Sequence, residues 1–342
     1  MDGAPIRTGV IGLGRSGWSN HARFLGRATQ FSLTAVADAV AERRAEAEAA
    51  FGCTAYTDAA ALLADPRVEL AVVCTPSHTH AALAVDALRA GKHVLVEKPM
   101  ATSVAEADAM LAAAAQTSRL LTVYQNRRLD PDFVRIQEIL ASGVLGPVHQ
   151  IRRGIYGFQR RNDWQTLRRL GGGLLNNWGA HILDQALILL GGRYRALFAD
   201  LRLTVSAGDA EDLVKVVLRG EPGSPTVDVE ISTACALPQP DWLVMGKYGT
   251  LVGSGRHLEW KHYAPEALPA LVVDDGPAPG RRYPSEQIPW QTSSLDVPAA
   301  DTTGAFYGRL AASIRADAPL LVTPESVRAQ IALLDAIRAQ AA

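Results

Sequence analysis

Ile6-Arg7-Thr8-Gly9-Val10-Ile11-Gly12-Leu13-Gly14-Arg15-Ser16-Gly17 opens the chain. The residues up to Ile11 make a short strand, and the stretch from Trp18 to about Ala28 reads as a helix. Between them lies G-x-G-x-x-G, a generic pattern alone, whose position between strand and helix gives it meaning. Gly12 permits a tight turn, Gly14 lets the backbone approach a pyrophosphate, and Gly17 lets helix and strand pack closely. The free N–H groups and dipole at the helix start suit phosphate. Gly12, Gly14, Arg15, Ser16 and Gly17 are therefore expected to hold a dinucleotide. The bland alternative is a turn followed by a helix cap.

Phe31-Ser32-Leu33-Thr34-Ala35-Val36-Ala37 reads as a second strand, ending in Asp38. An acid about twenty residues beyond the glycines is placed to accept hydrogen bonds from the adenosine ribose hydroxyls. Its charge also repels a 2′-phosphate, so the expected cofactor is NAD, with NADP as the alternative. Asp38 would equally serve as a helix N-cap, because Ala39 to Phe51 reads as a helix that Gly52 closes. Arg43 and Arg44 follow a turn later, with nothing in the sequence to aim them at a ligand.

The alternation continues. Val68 to Cys74 is nearly all apolar, as a central parallel strand is. It breaks at Thr75-Pro76-Ser77-His78-Thr79-His80, and a helix to about Ala90 follows. Gly91-Lys92-His93-Val94-Leu95-Val96-Glu97-Lys98-Pro99 is a helix stop, a buried strand and an abrupt polar end. A helix with Val104, Ala107, Leu111 and Ala114 on one face leads to a strand, Leu120 to Tyr124. Repeated β–α units with short links define a doubly wound parallel sheet. A glutamate and a lysine at its carboxyl edge are costly to bury without partners or a task, and that edge is where ligands bind. His78 and His80 have the wrong spacing for one helical face and no third ligand nearby, so no metal is expected; cofactor or helix-start contacts fit better.

Leu129-Asp130-Pro131 starts a helix to about Ser142. Segments with a strand alternation follow at His149–Phe158, Arg195–Ser206, Leu213–Arg219, Thr226–Ala234, Trp242–Met245 and Leu258–Tyr263. Hairpin-length links point to a largely antiparallel sheet. Asp274 to Pro298, with Pro277, Pro279, Pro284, Pro289 and Pro298, reads as a long loop. Helices return at about Thr302–Ala316 and Pro324–Ala339, the last capped by Thr323 and carrying Val327, Ile331, Leu334 and Ile337 as its buried stripe. At 342 residues two cores are the default. The expected architecture is α/β: a Rossmann doubly wound parallel sheet over 1–125, then an α+β substrate-binding and oligomerisation part with a largely antiparallel open sheet over 126–342.

The polar centre of the second half is Gly171-Gly172-Gly173-Leu174-Leu175-Asn176-Asn177-Trp178-Gly179-Ala180-His181-Ile182-Leu183-Asp184. On a helix, Asn177 and His181 share a face one turn apart, with Asp184 a turn beyond. The glycines are expected to loosen this segment and let a ligand approach. Asn126 and Arg127, just past the last parallel strand, and the loop Arg160-Arg161-Asn162-Asp163-Trp164 offer groups for a polar substrate, or a solvated surface. Trp178 would stack on a ring or fill the core.

Gly12-x-Gly14-x-x-Gly17, Asp38, Thr75-Pro76 with His80, Gly91 to Pro99, Arg127-Arg128, Gly146, Gly171-Gly172-Gly173, His181 and Asp184 together resemble the Gfo/Idh/MocA oxidoreductases, a group that includes glucose–fructose oxidoreductase and inositol dehydrogenase. The resemblance implies a two-part NAD(P)-dependent enzyme acting on sugars, polyols or related ketones. It implies that Thr75, Pro76, His80, Glu97 and Lys98 meet the cofactor and that Lys98 also meets substrate, with the Lys98–Pro99 bond often cis. It places a substrate-contacting basic residue at Arg127. It further implies a proton-transferring role for His181. The family has an aspartate four residues before that histidine; here the position is Asn177, which can orient but supplies no charge.

Lys98, His181 and Asn177 are thus the expected catalytic set, Lys98 polarising the reacting oxygen, His181 moving the proton and Asn177 steering His181 or a neighbouring hydroxyl. Asn126, Arg127, Arg161, Asp163 and Trp178 are the expected substrate contacts. Two other readings remain: a keto-sugar reductase acting in glycoside processing, and a nucleotide-sensing regulatory protein without turnover, against which Lys98 and His181 argue. A net charge of −1 with 20% charged residues gives no basic surplus for nucleic acid. No apolar run is long enough for a bilayer, and the three cysteines form neither a disulfide nor a metal pattern. With Met1 to Arg7 running straight into a strand, no signal peptide is expected and the cytoplasm is the expected compartment. An uncovered sheet face in the second half leads to the expectation of a homodimer or homotetramer.

Overall fold

The computed structural model describes residues 4–273, 275–277, 279–281 and 286–341. In β4 (Leu70–Val73) all four side chains are buried, which requires cover on both faces of its sheet. The other parallel strands are β1 (Ile6–Ile11), β2 (Phe31–Ala37), β3 (Thr54–Tyr56), β5 (His93–Val96) and β6 (Leu121–Val123), in the order β3-β2-β1-β4-β5-β6. This is the doubly wound order whose crevice lies at the carboxyl ends of β1 and β4. The doubly wound sheet is as expected, but β3 and a short helix after it were not read from the sequence. Thr54-Ala55-Tyr56 is only half-buried and too short to show a period.

The first helix begins earlier than Trp18. A π-helical turn, Gly17–Ala22, runs into α1 (Arg23–Leu25), and the chain leaves the helix before Ala28. Next come α2 (Ala41–Phe51), α3 (Ala59–Ala64), α4 (His80–Arg89) and α5 (Val104–Thr117). Gly52 closes α2 in the left-handed region, φ 65°. The helix starts at Ala41 with Val40 as its N-cap; Asp38, expected as the cap, instead accepts from Val40 N at 2.9 Å in the turn before it.

After α6 (Pro131–Ala141) the second sheet is built from β7 (Val148–Tyr156), β8 (Ala196–Arg202), β9 (Leu213–Arg219), β10 (Thr226–Ser232), β11 (Trp242–Gly246), β12 (Gly249–Ser254), β13 (His257–His262) and β14 (Gln291–Asp296). Its order is β14-β13-β12-β11-β7-β10-β9-β8, and among the described residues β7–β10 is its one parallel pair. In β9 buried and half-buried residues alternate, Val214, Val216 and Leu218 pointing inward. Here α7 (Ala180–Leu189) packs on β10, and α9 (Pro324–Ala341) on β8.

Two readings are corrected. The strand expected over Arg195–Ser206 stops at Arg202 because the Asp212 carboxylate accepts from the backbone N–H groups of Thr204, Val205 and Ser206, bending that segment into a loop. The proline-rich stretch Asp274–Pro298 is not all loop: β14 pairs with β13 along its whole length, Pro289 and Pro298 standing outside it. Residues 274, 278 and 282–285, including Pro284, lie outside the described residues. β12 was also missed, since Gly249 and Gly253 weaken its pattern.

The carboxyl-terminal helices return to the first sheet. From α8 (Thr302–Ala316), Tyr307 stacks on Phe24 with centroids 4.8 Å apart and meets Phe31 edge-on at 5.1 Å. Buried Asp184 on α7 takes a bidentate pair from Arg128 at 2.8 and 2.7 Å, and Arg128 also donates to Ser326 on α9. Asp184 therefore ties α7 down rather than extending the site. Removing one partner of such a buried pair strands the other charge, so Asp184→Ala is expected to cost roughly 3–5 kcal/mol of unfolding free energy. Urea denaturation reads this directly, and a loss under about 1 kcal/mol, the worth of an exposed pair, would contradict the anchoring role.

Candidate active site

Two lysines flank β5, and their partners separate structure from chemistry. Lys92, buried at the amino end, spends its ammonium on the carbonyls of Asp65 and Val68 at 2.8 and 2.9 Å. Lys98, at the carboxyl end, donates to Asn177 Oδ1 at 2.8 Å and to the Asn177 carbonyl at 3.0 Å. It sits on the wall of a cleft of about 1180 Å³ that runs from Asp38 past the glycine turn to Trp178. Burial pulls the Lys98 ammonium down to about 8; Glu97 opposes this, while Arg127, Arg15 and Arg161 add to it. The Lys98–Pro99 bond is cis, as expected.

Glu97 is buried, and its carboxylate is fully engaged. Oε1 accepts from Ser16 Oγ and lies 3.1 Å from His21 Nε2; Oε2 accepts from Lys98 N at 3.0 Å. Burial alone would raise this carboxyl, but His21, the Lys98 charge and the Ser16 hydroxyl outweigh it and hold Glu97 well below the usual carboxylate range. His80 is buried with Nδ1 2.8 Å from the Pro99 carbonyl and Nε2 2.8 Å from that of Thr75. Burial lowers its pKa, and a neutral ring donates to one of these carbonyls at a time. It ties the loop after β4 to the turn carrying Lys98.

The glycine turn has the shape that the dinucleotide reading requires. Gly12 has φ +91°, and a Cβ on Gly17 would stand 1.8 Å from the Gly12 carbonyl oxygen. A Cβ on Gly14 would meet nothing within 4 Å, so the turn opens at that point onto the cleft. Asp38 reaches back to this turn, accepting from Leu13 N at 2.7 Å, and Arg43 lies 3.4 Å from the same oxygen. Asp38 accepts from Val40 N in the turn before α2, and its carboxylate lies on the cleft wall with Thr75, Pro76, Arg15, Ser16 and Arg43.

On the opposite wall stand Arg160, Arg161, Asn162, Asp163, Trp164, Gln165, Asn177 and Trp178. Arg161 pairs with Asp163 at 2.5 Å. Asn177 sits in a π-helical turn, Leu175–Gly179, and its Nδ2 donates to Gln165 Oε1 at 3.1 Å; π-turns of this kind recur at functional sites. Asn177 contacts Lys98 and not His181, so the steering of His181 expected of it falls to another residue. Gln125, buried just past β6, has Oε1 3.1 Å from His181 Nδ1. Gly171, Gly172 and Gly173 line the cleft, and the side on which a Cβ would stand is packed: one on Gly172 would lie 2.5 Å from the Gln165 carbonyl oxygen.

His181, Asn126 and Arg127 are not on the cleft wall among the described residues. His181 meets Trp178 edge-on, ring centroids 6.4 Å apart, and Arg127 lies over the Trp178 ring at 4.6 Å while pairing with Asp130 at 2.8 Å. Burial, then the charges of Lys98 and Arg127, hold the His181 imidazole well below its ordinary value against the pull of Glu97. Sequence reasoning missed Gln125, Gln165, His21 and Tyr307. Gln125 adjoins Asn126 at the sheet's carboxyl edge, the one signal that was available. Among the described residues no group of His, Cys, Asp or Glu is arranged to hold a metal, and no helix is long and apolar enough to cross a membrane.

A parallel sheet with an open glycine turn, an acid at the end of its second strand and a lysine in the crevice defines a dinucleotide-binding fold facing a second, polar wall. The profile of the oxidoreductase family with an NAD-binding Rossmann fold matches residues 6–125, and that of the GFO/IDH/MocA carboxyl-terminal domain matches residues 133–252. An uncharacterised oxidoreductase of Schizosaccharomyces pombe is 34% identical over 267 residues, covering 74% of this chain and 71% of that one. The myo-inositol 2-dehydrogenase of Thermotoga maritima is 32% identical over 225 residues, covering 64% of this chain and 66% of that one. An NAD-binding protein of Listeria innocua superimposes with a TM-score of 0.83 at 28% identity, over 98% of this chain and 94% of that one. The chain belongs to the Gfo/Idh/MocA family of oxidoreductases, whose cofactor is a nicotinamide dinucleotide.

A carboxylate beside an ammonium favours the charged form. Asn177→Asp is therefore expected to raise the Lys98 pKa from about 8 by about one to three pH units. The alkaline limb of the kcat/KM profile should move up with it. An alkaline limb that stays in place would show that Lys98 is not the group titrating there.

Proposed function

We propose that this protein is a dehydrogenase that oxidises a secondary alcohol of a sugar, polyol or related compound to the ketone, and catalyses the reverse reduction. The observation that carries the reading is the Lys98 ammonium, held by Asn177 on the cleft wall where the glycine turn meets the polar second wall. The nicotinamide, when bound, takes up or returns the hydride. Lys98 donates to the reacting oxygen with the N–H its two Asn177 bonds leave over, stabilising charge as it develops there. His181 takes the hydroxyl proton in oxidation and gives it back in reduction. Asn177 keeps the ammonium aimed, itself held by Gln165.

Gly12, Gly14, Arg15, Ser16 and Gly17 would hold the pyrophosphate, and Thr75, Pro76 and Glu97 would shape the nicotinamide end, with His80 supporting their backbone. Asp38 would take the adenosine ribose hydroxyls, favouring NAD over NADP. Arg161, Asp163 and Trp178 would meet the substrate, with Arg127 over the Trp178 ring; hydroxyl-rich compounds suit this mix of donors, acceptors and an aromatic face, and the likeness to an inositol dehydrogenase supports that class. We take residues 1–125 as the cofactor unit and 126–342 as the substrate unit, with α8 packed back on the former.

A panel of sugars and polyols, each offered with NAD and with NADP, should yield turnover on at least one member and a higher kcat/KM with NAD. Lys98→Met should lower kcat by roughly a thousandfold while NADH still binds, followed by its fluorescence. Undiminished turnover of that variant would sink the mechanism, and nucleotide binding with no turnover on any panel member would favour a sensor.

The outer face of the second sheet bears the exposed side chains Phe198 and Val252 beside Lys215, Asp228 and Glu230. We propose that a second copy covers it, giving a homodimer or homotetramer. Light scattering should report a dimer or tetramer, and Val252→Lys should shift it towards monomer; a monomer in the unaltered protein contradicts the proposal.

A further inference from the structure

Gln125 follows β6 by two residues and is almost wholly enclosed by protein. Its Nε2 donates to the Ala180 carbonyl at 2.9 Å and its Oε1 lies 3.1 Å from His181 Nδ1. The amide cannot be turned round, because the flipped form would set its carbonyl against that of Ala180. An oxygen fixed opposite Nδ1 requires the proton to sit on Nδ1, which leaves the lone pair on Nε2. Nε2 has no hydrogen-bond partner among the described residues.

We propose that Gln125 is the positioning residue of the site, locking His181 in the Nδ1–H tautomer so that the ring meets a substrate hydroxyl as a proton acceptor through Nε2. This rests on the reading of His181 as the proton-transferring residue. In oxidation the O–H bond breaks and its proton forms a bond to Nε2, while the substrate carbon loses hydride to the oxidised nicotinamide, which is reduced. The imidazolium then returns the proton to solvent.

The charged groups facing the ring are Lys98 at the end of β5, Arg127 in the turn after β6, and Glu97; Asp184, on the ring's own helix, is committed to Arg128. Burial and the two cations disfavour the imidazolium, and an amide partner, unlike a carboxylate, adds nothing to favour it. The resting ring is therefore neutral at neutral pH. Oxidation, which uses the neutral ring, persists into mildly acid solution. Reduction, which uses the protonated ring, falls as pH rises.

The test is 15N NMR of the histidine-labelled full chain at neutral pH without cofactor. Nδ1 of His181, assigned by its loss in His181→Ala, should carry the proton and Nε2 should not; the opposite tautomer or an imidazolium overturns the inference, whether or not any Gln125 variant folds. Gln125→Glu places a carboxylate on Nδ1 and should move the acid limb of kcat/KM for oxidation up by about one to three pH units. Gln125→Leu should lower kcat with little change in KM, by roughly 10- to 100-fold, on the scale known for the orienting partners of metal-bound histidines. A uniform loss in Gln125→Glu at every pH, with the limb unmoved, marks a merely structural residue and overturns the proposal. Full turnover by His181→Ala instead overturns the proton-transfer reading and leaves the NMR result standing.

Discussion

A lysine ammonium drawn out of water at the end of an apolar strand is the constraint on which the rest of the structure depends. The chain meets the same problem twice on β5 and solves it in two ways. Lys92 is neutralised in effect by two backbone carbonyls and serves the fold. Lys98 is given an amide oxygen and one carbonyl, which leaves it a donor to spare and an ammonium held near 8. Glu97, its neighbour in sequence, does not pair with that ammonium. Its carboxylate is turned to Ser16 and His21, and to the backbone N–H of Lys98 itself. The turn is thus fixed by a charge, while the side chain that faces the cleft is held by dipoles.

The supports of Lys98 come from distant parts of the chain. His21 lies between Glu97 and Tyr307, whose hydroxyl is 2.7 Å from His21 Nδ1, so a residue of α8 completes the shell around the end of β5. Arg338 of α9 donates to Asn176, whose own amide donates to the carbonyls of Gly171 and Gly172 and shapes the segment leading to Asn177. The Arg128–Asp184 pair fixes α7, and with it His181. Buried polar links of this kind are costly when incomplete and specific when satisfied. They set the lysine wall against the asparagine wall.

What could be read from the sequence was what local pattern encodes. β2, β9 and α8 have the bounds that periodicity and caps indicate, and the three glycines of the first turn stand where a turn, an opening and a close contact need them. β14 was hidden because Gln291-Thr292-Ser293-Ser294-Leu295-Asp296 is a polar edge strand with no apolar alternation, held by its pairing to β13. His21, Gln125, Gln165 and Tyr307 were hidden for a related reason: their roles exist only across contacts between segments far apart in sequence. Of the two roles expected of Asn177, the contact with His181 is not made. Helical spacing places it one turn before His181, yet in the π-helical turn its side chain goes to Lys98 and Gln165.

The asparagine at 177, where the resemblance led to the expectation of an aspartate, bears on the balance of charge at the centre. An aspartate there would stabilise the Lys98 ammonium and oppose the depression caused by burial. With an amide, burial and then nearby cations act on both titrating groups, the arginines on Lys98 and Lys98 with Arg127 on His181, and both fall below their ordinary values. Their order is kept. Lys98 titrates near 8 and so holds most of its proton at neutral pH, whereas His181, lowered from a value already close to neutrality, has lost its own. Groups whose proton affinities are set apart in this way take opposite parts in proton chemistry. With no carboxylate at 177, Lys98 is held by Asn177 and His181 by the amide of Gln125; under the proposed mechanism the lysine is the donor and the histidine the acceptor.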